Sequence, residues 1–393
     1  MFLQMHYLSS YHASLLNRDD AGLAKRIPFG DATRLRISSQ CLKRHWRVDL
    51  QQSLDLPGAI RTRHFFEREV FPRLQGERQV EPALAEQLVR TLAKTVLASS
   101  DGSKDSLDEH LRMKQPVLFG RPEADFFVEL LAECAAEPNP GEALAERLKG
   151  DKENFKAMLR AAGHGNLYAG VEGALFGRFV TSDILARSDA AVHVAHAFTV
   201  HPQDNEVDYF TVVDDLNLGE ETGAAHAGDM DLGTGLFYGY VAIDVPLLVS
   251  NFTGCDRKMW QDQGLGDVGR VLAAFLHTVP TVTPGAKLGS TAPYVYADFV
   301  LLEAGRQQPR SLANAYLEAL RPQGDAIQQA VDRLREYLVA QEKVYGPTAG
   351  ERAVATTRLW AGDPQPQPLH EAITAILEAA LGRQADGSPD SSL

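Results

Sequence analysis

An α+β fold carrying a large helical insertion is what this sequence predicts, and three observations predict it. Short alternating apolar runs occur near both ends of the chain. A stretch from about Phe65 to Arg187 reads as mostly helical, its pieces separated by Pro and Gly. Strand-like runs separated by helices, with no internal repeat, then give a sheet domain with appendages. With 393 residues, 44% hydrophobic and 23% charged, the chain has material for a substantial core and for one large or two to three ordinary domains.

In chain order, Leu3, Met5 and Tyr7 alternate with Gln4 and His6, which predicts a half-buried strand. NRDDAGLAKRIPFGD reads as a long loop, and TRLRI as a second strand with Leu35 and Ile37 on the core face and Arg34 and Arg36 on the other. Ser38 and Ser39 are residues that cap helices, and a helix follows. On it Gln40, Lys43, Arg44 and Arg47 form one polar stripe, opposite Leu42 and Trp46. ALAEQLVRTLAKTVL, ADFFVELLAECAA, GEALAERLKG and FKAMLRAAG are the helices of the insertion. AAVHVAHAFTVH and VDYFTVVDDL, joined by PQDNE, predict a long hairpin. GAAHAGDMDLGTG reads as a Gly-rich loop before the strand LFYGYVAIDV; DVGRVLAAFLHTV is a helix, TPGAKLGSTAP a loop and YVYADFVLL a buried strand. Two or three helices follow, and the polar tail GRQADGSPDSSL is expected to be disordered.

Bulk properties exclude several classes. No run of about 18 apolar residues and no basic leader with an apolar core is present, so the expectation is a cytoplasmic protein without a membrane partner. Cys41, Cys134 and Cys255 lie far apart without CxxC, against a disulfide framework or a cysteine metal site. The net charge of −13, from 52 acids and 39 Lys/Arg, would repel a polyanion from most of the surface. Between Lys25 and Val48, however, Lys25, Arg26, Arg34, Arg36, Lys43, Arg44 and Arg47 face the single acid Asp31. Strand and helix cations therefore reach one surface. A helix N-terminus, Ser and Gln donors and several cations make a phosphate site indifferent to base identity.

Other constellations have structural readings beside chemical ones. Asp19 with Asp20, and Asp214 with Asp215, have the form of a two-metal carboxylate pair, but DD beside Gly or at a strand end is far more often a turn or cap, and both pairs are read as structural or inter-subunit. His193, His196 and His201 do not share one side of a strand, which argues for scaffold over zinc. Cys41 and His45 are spaced i, i+4 with no orienting third group, so packing is favoured over a thiol nucleophile. Pro284 to Gly289 lacks the Walker pattern, although its glycines and Lys287 could cradle a phosphate backbone.

LLNRDDAGLAKRIPFGDATRLRISSQCLKRHWR closely resembles the N-terminal signature of CasC, the backbone subunit family of type I-E CRISPR Cascade. The likeness continues through GALFGRFVTSD, VAHAFTVHPQDNEVDYFTVVDDL, GTGLFYGYVAIDV, VPTVTPGAKLGSTAPY and SLANAYLEAL, spanning Leu3 to Leu320 in order. The resemblance implies an RRM-like (ferredoxin-like) palm from 1–60 and 236–382, the latter with C-terminal helices. It also implies a helical fingers insertion at 61–187 and a β-hairpin thumb with its loop at 188–235, ahead of the tail at 383–393. It implies a non-catalytic subunit, with no cofactor and no metal, that polymerises with copies of itself along guide RNA (crRNA). Other Cascade subunits and, through the guide, target DNA are the further partners. Lys25, Ser38, Gln40, Lys43, Arg44 and Arg47 match positions at the guide phosphates, and Arg34, Arg36 and Lys287 extend the expected RNA-binding set. Phe179 stands where a familiar member has Met, and it and Phe210 are expected to wedge beside bases. The rival expectation is a metal-dependent RNA endonuclease on a related scaffold, using Asp19 or Asp20.

Overall fold

The computed structural model describes residues 1–97, 107–148, 167–178, 188–212, 226–286, 288–347 and 349–382. The expected FKAMLRAAG helix, Phe179, Asp214, Asp215, Lys287, the tail from 383 and the side chain of Phe210 lie outside the described residues. The chain forms two compact units, Met1–Leu54 with His193–Val245 and Leu265–Leu393, and Asp55–Val192 with Pro246–Gly264.

The first unit is a mixed α+β body on a large antiparallel sheet. Its strands are Phe2–Ser14 (β1), Arg26–Phe29 (β2), Ala32–Ile37 (β3), Val192–Val194 (β6), Ala197–Thr199 (β7), Asp204–Val212 (β8), His226–Asp244 (β9), Phe299–Gly305 (β10) and Glu351–Thr356 (β11). The sheet runs β11-β10-β1-β9-β7-β3-β2, with β6 and β8 also pairing with β9. β1 lies between β10 and β9, in registers such as Met5↔Leu302 and Met5↔Val241. Helix α1 spans Ser39–Ser53; α8 (Gly266–Thr281) and α11 (Leu369–Leu381) pack on β1 and on each other. Between them in the chain come a short turn of helix, α9 (Leu288–Thr291), and α10 (Ala326–Tyr345). Leu8, Tyr238, Phe299 and Leu301 of the sheet share a core with Ala330, Val331, Leu334 and Leu338 of α10.

The second unit pairs Ala59–Thr62 (β4) with Val117–Gly120 (β5) and adds the helices Phe71–Gly76 (α2), Pro82–Val96 (α3), Arg121–Ala135 (α4), Pro140–Arg147 (α5), Gly170–Phe176 (α6) and Val245–Thr253 (α7), of which α4 and α6 pack on the strands. Phe65, Phe66, Phe119 and Phe127 centre its core, with Phe65 stacked on Phe119 at 3.9 Å between ring centroids. Arg178 and Glu123 are an ion pair at 2.7 Å with side chains 1% and 0% exposed. Glu123 also accepts the Gly120 N–H, closing the start of α4.

Several expectations change. β1 is buried on both faces, because strands flank it on each side and helices cover both of its surfaces; Gln4 and His6 are interior. His6 is held by Tyr238 and Glu303, and Glu303 in turn by Arg310 and Arg352. Burial pushes the imidazole pKa of His6 down despite that carboxylate. VDYFTV pairs with β9, as in Val207↔Asp231 and Tyr209↔Asp229, and not with AAVHVAHAFTVH as the hairpin expectation had it. The Gly-rich stretch from His226 to Gly235 is strand, not loop. Glycines along β9 serve close approach: a Cβ at Gly239 would lie 2.0 Å from the Tyr7 ring, and one at Gly235 would lie 2.4 Å from Thr199. RIPF of the expected loop is β2, YVYAD precedes the strand that begins at Phe299, and β11 lies between the last two long helices.

Candidate nucleic-acid interface

Helix α1 starts where the sequence predicts. Ser38 is its cap, its Oγ accepting the Cys41 N–H at 3.3 Å, while its own N–H donates to Asn17 Oδ1 at 2.9 Å. Leu42, Trp46 and Leu50 are buried, and Trp46 meets Phe275 of α8 edge-on at 5.8 Å between centroids. Thr278 Oγ1 donates to Asp49 Oδ2 at 2.6 Å, fixing the later turns. The core side of α1 being fixed, Gln40 and Arg44 are exposed and Lys43 and Arg47 half-buried. The first turn contains no acid, so the positive end of the helix dipole is not offset by its own sequence.

Lys25 and Arg36 bring the strand contribution. The Arg36 N–H donates to the Lys25 carbonyl at 2.8 Å, and the Arg36 guanidinium donates to Arg26 O at 3.3 Å and to His196 Nδ1 at 2.8 Å. Burial, then Arg36 and Lys25, hold the His196 imidazole pKa below its ordinary value, which keeps its Nδ1 lone pair available to Arg36. Lys25 and Arg44 both act electrostatically on Cys41, so strand and helix cations converge beside the start of α1. Arg26 instead pairs with the buried Asp231 at 3.1 Å.

Arg34 departs from the expected RNA-binding set. Its side chain is 0% exposed; it donates to Thr199 O at 3.0 Å and Tyr316 O at 2.9 Å, and lies 3.5 Å from Asp31. The alternation along β3 places Arg34 opposite Leu35 as expected, yet that face is covered by the Ala313–Tyr316 turn instead of solvent. The turn between β2 and β3 is locked to the same segment: Asp31 N–H donates to Leu317 O and Asp31 Oδ1 accepts the Ala319 N–H. Gly30 is required there, with φ 62° and a Cβ that would fall 1.6 Å from Leu317 O.

The rival chemistries meet specific obstacles. Asp19 Oδ1 accepts the N–H groups of Ala21 and Leu23, both at 2.9 Å, which is a turn role. Asp19 and Asp20 line an open cleft of about 390 Å³ together with Lys25, Arg26 and Arg36, cations that oppose a divalent metal. His45 Nε2 accepts the Gly285 N–H at 3.3 Å, so its Nδ1 carries the proton and donates to Cys41 O at 2.9 Å. That nitrogen is not a base for the Cys41 thiol, whose pKa burial pushes up. His201 is likewise scaffold, with Nδ1 donating to Pro202 O and Nε2 accepting the Leu236 N–H. Sequence reasoning missed Asn17 and His196 as partners of this surface, since each acts across 21 and 160 residues of chain. It also passed over Tyr209, 64% exposed on β8 beside Val207, whose signal was its place next to Phe210 in the alternating run.

The family model described as CT1975-like protein matches residues 3–378. The chain belongs to this family. A solved structure titled CRISPR RNA-guided surveillance complex, pre-nicking, contains a chain similar to this CT1975-like protein at 26% identity and TM-score 0.76, covering 97% of this chain and 100% of that one. A second, titled CRISPR RNA-guided surveillance complex, matches at 22% identity and TM-score 0.69 with the same coverage, a likeness of fold. Comparison with curated proteins finds no match. The resemblance read from the opening motif stands at this level, that of a backbone-type Cas subunit related to surveillance-complex components. No helix among the described residues is long and apolar enough to cross a membrane.

Proposed function

We propose that this CT1975-like protein is a guide-RNA-binding backbone subunit of a CRISPR Cascade complex, and that copies of it line up along the guide. One observation carries the reading: in a protein of net charge −13, Lys25, Arg36 and Arg44 gather around the capped N-terminal half of α1, whose other side is fixed by Leu42, Trp46 and Leu50. Such a surface takes phosphates of any sequence. The relatives' titles support an RNA-guided assembly as its setting, with other Cascade subunits as partners and target DNA met through the guide. In this reading the first unit is the RRM-like palm, the second the helical fingers, and β8 with the adjoining part of β9 the thumb. Holding the guide ordered in advance lowers the entropic cost of pairing with target.

The protein cuts nothing in this account, and target cleavage falls to a separate component. The engaged Asp19 carboxylate and the cations of its cleft favour that over the nuclease reading. Incubation of the purified chain with guide and complementary RNA in Mg²⁺ or Mn²⁺ is expected to leave both intact. Cleavage that disappears in Asp19→Ala or Asp20→Ala would establish the nuclease instead.

A further inference from the structure

Tyr294 and Tyr296 are 68% and 74% exposed, in a stretch that the sequence alone reads as buried strand. They do not hang from a loose loop. Val295 between them donates its N–H to Thr283 Oγ1 at 3.2 Å and accepts the same hydroxyl on its carbonyl at 3.3 Å, and the Ala297 N–H donates to Pro280 O at 2.8 Å. Pro293 is buried, Val295 and Ala297 are half-buried, and the tyrosines alternate with them outward, the period of an extended chain. Two rings thus project to one side of a fixed backbone.

The Thr283 segment that anchors them also reaches α1. Two residues beyond Thr283, the Gly285 N–H reaches His45 on α1, and the Ala286 N–H donates to Leu15 O in the connection leading to the basic patch. Alternate residues of an extended chain are about 6.6–6.8 Å apart. That is roughly twice the 3.4 Å spacing of stacked nucleotides, so one base fits between two side chains at this spacing. A cationic groove beside exposed aromatic rings is the usual composition of a single-strand binding surface.

We infer that Tyr294 and Tyr296 form a stacking site for an unpaired base of a strand whose phosphates lie along α1. The inference rests on the RNA-binding reading and adds base contacts, without sequence preference, to a surface so far described by phosphate contacts. An apolar seat for a second copy of the chain is the competing occupant. The alternation with a rigid backbone and the tether to α1 favour the base.

The test uses the full chain and its Tyr294→Ala/Tyr296→Ala variant, with oligoadenosine and an abasic ribose-phosphate oligomer of equal length as probes. Removal of a stacking ring is expected to weaken oligoadenosine binding roughly fivefold or more. Abasic binding, the salt dependence and the melting temperature stay unchanged, and Tyr→Phe at both positions retains affinity. An RNA and a DNA version of the oligomer separate a guide strand from a displaced target strand as the source of the base. Equal oligoadenosine affinity in native and variant protein overturns the inference, as does an equal loss on the abasic oligomer. A smaller assembly in sedimentation with unchanged affinity assigns the rings to a second copy. If the native chain binds neither oligomer, the RNA reading itself fails and this inference with it.

Discussion

Arg34→Met separates structural from RNA-binding cations most sharply. The native guanidinium is fully buried and donates to the carbonyls of Thr199 and Tyr316, joining β7 to the turn before α10. Methionine keeps much of the side-chain volume and removes both donors. The Asp31 carboxylate is 38% exposed at 3.5 Å and has Arg321 and the Ala319 N–H as other partners, so its lost attraction counts for little. Two buried carbonyls left without charged donors set the cost at about 2–5 kcal/mol. For a unit of this size that lowers the melting temperature by roughly 4–20 °C. Calorimetry reads that fall, and titration of folded protein with guide RNA at several salt concentrations reads the number of phosphate contacts. The expected result is a large thermal loss with an unaltered salt slope. A thermally intact variant whose slope falls by about 0.7 would refute the structural assignment of Arg34.

Three further perturbations test other parts of the account. Trp46→Ala empties the contact with Phe275 and should destabilise the first unit by about 3–5 kcal/mol, read by denaturant unfolding. Glu123→Gln leaves the Arg178 guanidinium buried without its counter-charge and should cost about 3–5 kcal/mol, with faster hydrogen exchange in β5 and α4; unchanged exchange there would contradict the buried pair. Hydrogen bonds from Arg112 and then His64 hold the Glu67 carboxyl at about 2, below its unfolded value. Its stabilising contribution is therefore present at neutral pH and lost as pH falls from about 4.3 toward about 2, a loss that Glu67→Gln should remove from the acid-unfolding curve.

Local patterns were legible wherever a helix had one wet and one dry side. Leu42 and Trp46 opposite Gln40 and Arg44, and the cap at Ser38, follow from spacing and side-chain chemistry alone. Legibility failed where distant segments decide which face is dry. Nothing in TRLRI announces that residues near Tyr316 cover Arg34, and nothing in the alternation of β1 announces helices on both sides. Glycine misled for a related reason: Gly235 reads as loop, whereas it is a strand position emptied for Thr199. The partner of VDYFTV was misassigned because alternation marks a strand and leaves its pairing open. At the basic surface, charge density pointed to Lys25, Arg36 and Arg44, while their supports Asn17 and His196 depend on the fold.

The salt dependence of guide-RNA affinity, compared between the native chain and Lys25→Ala/Arg44→Ala, tests the central claim most directly. Both side chains lie outside the core at the start of α1, so the variant should melt as the native protein does. If each holds one phosphate, the slope of log K against log salt should become shallower by about 1.4, equally for guides of unrelated sequence. An unchanged slope in a folded variant that still binds guide would contradict the account and assign this basic surface to something other than RNA.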